Sequence, residues 1–180
     1  MGIATIPDTA LLIRQRPFFL PDFCEKICTT QLCICARINR LGRSINIRFA
    51  HRYYDANDFT LGVHFVARNL LNQLLQTGQP IDPAVGFDNA VAVAEEKANL
   101  NNDNLQCEIK LDNEVHRVQM NLKQMQAAID NEIARISQFY TLRQGDLLLL
   151  PLPIEELPVK IGNKLCLSLN EKHLLTFDVK

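Results

Sequence analysis

What the sequence lacks limits its chemistry first. There is no phosphate-cradling glycine loop, no G-x-S-x-G elbow and no H-E-x-x-H pair, which removes the usual nucleotide-binding, serine-hydrolase and zinc-protease signatures. Neither sign of charge dominates: 19 Lys and Arg stand against 20 Asp and Glu, for a net charge of -1. No basic footprint for a nucleic-acid backbone follows from that balance. No apolar run approaches the roughly 20 residues that cross a bilayer, and the start "MGIATIPDTALL" does not read as a signal peptide. A cytoplasmic protein with no membrane or nucleic-acid partner is therefore expected. Six cysteines are present, yet none is paired as C-x-x-C: Cys24 and Cys28 are four apart, and Cys33 and Cys35 two apart. Buried thiols acting as small core residues are favoured over ligation.

What is present is apolar enough for one domain with a core: 180 residues, 47% of them hydrophobic, with no internal repeat. "RPFFLPDF" reads as an extended segment pinned by Phe18, Phe19 and Phe23. Period-two alternation from Thr30 to Ile38 predicts a strand, followed by a turn in "NRLGR" where Arg37, Arg40 and Arg43 form a solvated cluster. "INIRFAHRYYDA" predicts a short helix with Ile47, Ala50 and Tyr54 on one face. "DFTLGVHFVA" is a buried strand, and "RNLLNQLLQTG" a helix stopped by Gly78. A loop then leads to a strand at Ala90 to Ala94, and "NLNNDN" is a polar loop tip. A hairpin follows, turning at Asp112 and Asn113. The clearest helix runs from Leu122 to Phe139, with an apolar stripe through Met125, Ile129 and Ile133 and Asn121 as its cap. "GDLLLLPLP" and a final hairpin end the chain. Strands outnumber helices, so the fold class is α+β dominated by antiparallel sheet.

Read residue by residue, the catalytic inventory is small. His64 is the histidine inside a buried strand, and a hydrogen-bonded core imidazole is the simpler role for it. His51, His116 and His173 stand beside charged residues and read as surface groups.

The order of segments "PDTALL", "RPFFLPDF", "RINRLGR", "FAHRYYDA", "FTLGVHFVARNL", "GFDNAV", "YTLRQGD" and "KIGNKL" resembles the fumarylacetoacetate hydrolase family, in particular its small bacterial members. The resemblance spans nearly the whole chain. It implies a single domain, 1–180, built as a mixed β-sandwich or β-roll with a few peripheral helices and lacking the family's N-terminal segment. It also implies a homodimer. Family members hold Mg2+ or Mn2+ with two glutamates and an aspartate, and use it on acylpyruvate-like 2-oxo acids. A hard cation needs anionic oxygens, and residues i and i+2 of a strand face the same cavity.

Aligned on those segments, the glutamate positions fall on Gln31 and Cys33, and the aspartate position on His64. All three carboxylates are gone. The family lysine falls on Val85, a glutamine on Leu71 and a second aspartate on Asn69, while Arg68 survives. The resemblance thus implies a degenerate metal site with no cofactor expected. A pseudoenzyme that binds a ligand, such as a small oxo-acid, or another protein is the preferred expectation. Two alternatives stay open: Cys33 and His64 catching Zn2+, and an active hydrolase, isomerase or decarboxylase with an altered metal.

Overall fold

The structure, a computed structural model, describes residues 3–13, 16–24, 27–96 and 103–180. The polar tip expected at "NLNNDN" lies outside the described residues up to position 102.

Two antiparallel sheets form the body. The first contains β1 (Cys28–Ile38), β2 (Tyr54–Ala67), β3 (Val91–Val93), β6 (Leu147–Pro151) and β7 (Leu157–Val159), in the order β3-β2-β1-β6 with β7 also on β1. The second runs β5-β4-β8-β9, built from β4 (Asn104–Leu111), β5 (Glu114–Asn121), β8 (Lys164–Leu169) and β9 (Lys172–Asp178). The α+β expectation holds, and the strand ladders are antiparallel throughout. Parallel pairing occurs only as isolated bridges, at Leu11–Val91 and Phe18–Val179 among the described residues.

Alternation decides which side of β1 enters the core. Leu32, Ile34 and Ala36 are buried with Phe59, Leu61 and Val63 of β2 and with Leu105, Ile109, Leu165 and Leu167 of the second sheet. The helix α4 (Leu122–Ile136) adds Met125, Ile129 and Ile133 to the same cluster. Its apolar stripe is core, as the 3.6-residue period predicts. Asn121 caps it: the side chain accepts from the Lys123 amide, and Gln124 returns the bond to the Asn121 amide.

Several boundaries differ from the sequence reading. The helix expected across "INIRFAHRYYDA" is one turn, α1 (Ile47–Ala50), and Tyr54 opens β2 instead of continuing it. Ile47 is exposed, so no amphipathic face exists to extend the helix. α4 stops at Ile136, three residues early, where Ser137 turns inward to accept from the Ile45 amide. Of the three phenylalanines, Phe18 is buried and stacked on Phe65 with centroids 3.8 Å apart, and Phe23 meets Phe87 edge-on. Phe19 is exposed and pins nothing. The loop before β3 also contains a one-turn helix, α3 (Asp82–Val85).

Candidate functional site

The opposite face of β1 carries Thr29, Gln31, Cys33 and Cys35. In the ladder Gln31 lies opposite His64, Cys33 opposite Gly62 and Cys35 opposite Thr60. The sequence-derived ligand positions therefore do share one face. Gly62 is required there, since a Cβ would stand 2.6 Å from the Cys35 sulfur and 2.9 Å from the Ala92 carbonyl oxygen. α2 (Arg68–Thr77) begins directly after β2 and projects Arg68 back over Thr29.

The remaining member is Glu156. β6 leaves β1 opposite Cys33 at Pro151, and β7 rejoins it opposite Thr30 at Leu157. Prolines 151 and 153 cannot donate to a ladder; after the Leu152 amide makes a last bond to the Leu32 carbonyl, residues 153–156 arch off the sheet edge beside Gln31. The arch ends with the Glu156 carboxylate over the face. Arg68 meets it in a bidentate ion pair, with Nε 2.8 Å from Oε2 and the second nitrogen on Oε1. Thr29 donates its hydroxyl to Oε2 at 2.6 Å, and Gln31 donates its amide to Oε1 at 2.7 Å. Burial raises the Glu156 pKa, but the bonds from Arg68, Thr29 and Gln31 and the Arg68 charge outweigh it and hold the carboxyl below its ordinary value.

The other positions are spent on local partners. His64 is buried, and its Nε2 donates to the Val85 carbonyl at 2.6 Å. Burial, above all, lowers its pKa, which keeps the ring neutral near pH 7. The Cys33 thiol donates to the Gln31 carbonyl at 3.5 Å and is pushed up to about 12 by burial and then by the Glu156 charge. Val85 thus enters through its backbone, not its side chain. Asn69 and Leu71 point elsewhere: Asn69 donates to the Phe23 carbonyl, and Leu71 packs into the core. Of the arginine cluster, Arg37 donates to the Gly145 carbonyl and Arg40 lies over the Tyr53 ring.

Open space lies further along the same face. A cleft of about 320 Å³ is lined by Cys35, Arg37, Thr60, Asp58 and Glu95, with Leu11 and Leu12 at its rim.

This donor set does not fit a magnesium-type ion. Such an ion wants near-octahedral oxygen ligands, whereas Gln31 presents an N–H to Glu156, His64 presents an N–H to Val85, and Cys33 retains its proton. The one carboxylate is already neutralised by a guanidinium. Among the described residues no three His, Cys, Asp or Glu side chains converge as a metal cluster.

The fold and this face together define the class. The family model for the fumarylacetoacetate (FAA) hydrolase C-terminal domain matches residues 8–150, and the chain belongs to that family. Solved structures agree on the fold. A provisionally assigned isomerase from Escherichia coli superposes with a TM-score of 0.83 at 22% identity, covering 97% of this chain and 83% of that one. Fumarylpyruvate hydrolase from Pseudomonas aeruginosa, in complex with Mn2+ and pyruvate, gives 0.79 at 17% identity, covering 97% and 76%. The 5-carboxymethyl-2-hydroxymuconate delta-isomerase of Mycobacterium smegmatis gives 0.77 at 20%, covering 99% and 71%. No curated protein matches the sequence. No helix among the described residues is long and apolar enough to cross a membrane.

Glu156 escaped the sequence reading. Its signal was two adjacent acids, Glu155 and Glu156, in the proline-rich run "PLPIEELP" that begins at the end of the half-buried β6. Arg68, left without its expected carboxylate neighbours, was the group that needed such a partner.

Proposed function

We propose that this chain is a catalytically degenerate member of the family, serving as a ligand-binding or interaction protein in place of metal-dependent chemistry on 2-oxo acids. The observation that supports this reading is the Glu156 carboxylate, held by Arg68, Thr29 and Gln31. Glu156 and Arg68 cancel each other's charge, and His64 and Cys33 are neutral. A divalent cation entering between Gln31, Cys33 and His64 would find the Glu156 charge cancelled by Arg68 and would have to displace a guanidinium. The attraction of one carboxylate for a unit charge at 4 Å is about 4 kcal/mol at an effective dielectric near 20, and here that attraction already goes to Arg68. A small oxo-acid would find its volume in the neighbouring cleft, where about 320 Å³ is the lower end of ordinary ligand sites.

The second reading is an active enzyme with an altered metal, for which Glu156 is the observation in favour, since its charge reaches both Cys33 and His64. Zinc at Cys33 and His64 would have to displace the Cys33 proton to solvent and bind through Nδ1, the ring nitrogen that does not meet Val85. Acylpyruvates and oxaloacetate assayed with Mg2+, Mn2+ and Zn2+ separate the two. The expected result is no turnover above the protein-free control. Turnover that disappears in both Arg68→Ala and His64→Ala overturns the proposal. The homodimer belongs to the same reading, and light scattering at micromolar concentration checks it.

A further inference from the structure

The outward face of the second sheet carries a cluster unrelated to the site above. Cys166 on β8 lies opposite Thr176 on β9 and opposite Lys110 on β4. Its sulfur is 3.1 Å from Nδ1 of His173, and the Thr176 hydroxyl donates to it at 3.3 Å. The same hydroxyl oxygen is 3.1 Å from Nε2 of His173. The Thr176 hydroxyl donates to the sulfur and the thiol is the donor facing Nδ1; with sulfur and oxygen only 3.3 Å apart, the Thr176 oxygen sits well off the Nε2–H direction and is a contact there, not an acceptor. A thiol within hydrogen-bond distance of an imidazole nitrogen, with a hydroxyl donating to its sulfur, is an arrangement that activates thiols.

Regular alternation would not produce this cluster, because residues 173 and 176 differ by an odd number and belong on opposite faces. The β8–β9 register slips between Leu167, opposite Leu175, and Ser168, opposite His173. The extra residue, Leu174, turns into the core, and His173 is brought round to the sulfur. Exposure also separates this thiol from the rest. Cys24, Cys28, Cys33, Cys35 and Cys107 are buried, whereas Cys166 is half-buried. Burial holds Cys33 and Cys107 up to about 12, so neither is a thiolate near pH 7.

We propose that Cys166, His173 and Thr176 form a thiol-modification site that takes up low-molecular-weight disulfides by thiol–disulfide exchange. The Cys166 proton passes to Nδ1 of His173, and the sulfur attacks one sulfur of the incoming disulfide. The reagent's S–S bond breaks as the new one forms, and the departing thiolate takes the proton from the imidazolium. The products are a mixed disulfide on Cys166 and one free small thiol; the incoming disulfide is the oxidant. The charged groups on this face are Lys110, Lys164, Asp178, the Glu108–Arg117 pair and the Lys172–Glu96 pair, the last beside His173.

Incubation of the folded protein with oxidised glutathione or hydroxyethyl disulfide, followed by intact-mass and peptide mapping, tests the site. One adduct is expected, on Cys166, and none in Cys166→Ser. In stopped-flow reaction with a chromogenic pyridyl disulfide, His173→Ala should be slower by about tenfold at pH 7. That deficit should close as the pH rises toward the range where hydroxide deprotonates thiols unaided, and Thr176→Val should fall between the two. Adduct formation at another cysteine first, or none at all, overturns the proposal. So does a His173→Ala rate equal to wild type at every pH, since exposure alone would then account for the reaction.

Discussion

Replacing Glu156 by glutamine keeps the side chain's size and removes the charge that Arg68 meets. The carboxylate accepts bonds from Arg68, Thr29 and Gln31. Glutamine leaves one oxygen to accept and sets an N–H against those donors. A hydrogen bond to a charged group nets about 1.5–3 kcal/mol. The pair is partly open, with the Arg68 and Glu156 side chains 29% and 26% exposed, so solvent screening lowers that value. A loss of about 2 kcal/mol follows, or roughly 4–8 °C in Tm for a chain of this size. The pH dependence gives a second signature. The folded carboxyl titrates below its ordinary value of 4.5, so its contribution is complete above that value and is lost as pH falls through the lower folded value. Wild type should exceed Glu156→Gln by the full margin at pH 7 and converge with it in strong acid. Urea unfolding at a series of pH values measures both. Equal stability at pH 7, or a margin that stays constant down to the acid limit, would show that the carboxylate is not bound as described.

Other predictions concern neighbouring positions. Because the folded His64 titrates below 6.5, its stabilising neutral form is fully present above pH 6.5 and is lost as pH falls through the folded value; His64→Gln, which keeps a donor for Val85, should flatten that part of the stability profile. Gly62→Ala should cost about 1–3 kcal/mol by overpacking, because the carbonyl of Ala92 stands 2.9 Å from the new Cβ and cannot rotate away; denaturant midpoints check it. Chelator treatment should leave Tm unchanged, and elemental analysis should find no stoichiometric Mg, Mn or Zn. Glu156→Ala should free Arg68 to bind pyruvate, detected by calorimetry as heat beyond that of wild type.

Much of the scaffold was legible because its signals are local. The alternation of Leu32, Ile34 and Ala36 against Gln31, Cys33 and Cys35 fixed both the strand and the side each set faces. Asn121 announced its helix by a side chain that bonds two residues ahead, and Gly78 ended another with φ of 66°. The failures share a cause. At Tyr54 a helical spacing with Ala50 competed with strand-favouring aromatics, and pairing with Ile38 decided it. Glu156 is joined to Thr29 across 127 residues of sequence, and β7 is three residues with a proline in the middle, too short for a period. The slip that carries His173 to Cys166 is likewise a property of the pairing, not of either strand.

A strand that shows odd residues to one side and even residues to the other separates two kinds of selection. Exchanging Gln31 or Cys33 changes what that face offers and leaves the contacts of Leu32 and Ile34 as they were. A lineage can therefore shed a reaction by altering alternate letters of one segment while the intervening letters go on specifying the architecture. Descendants of such a lineage would resemble their ancestors in shape long after their chemistry had diverged.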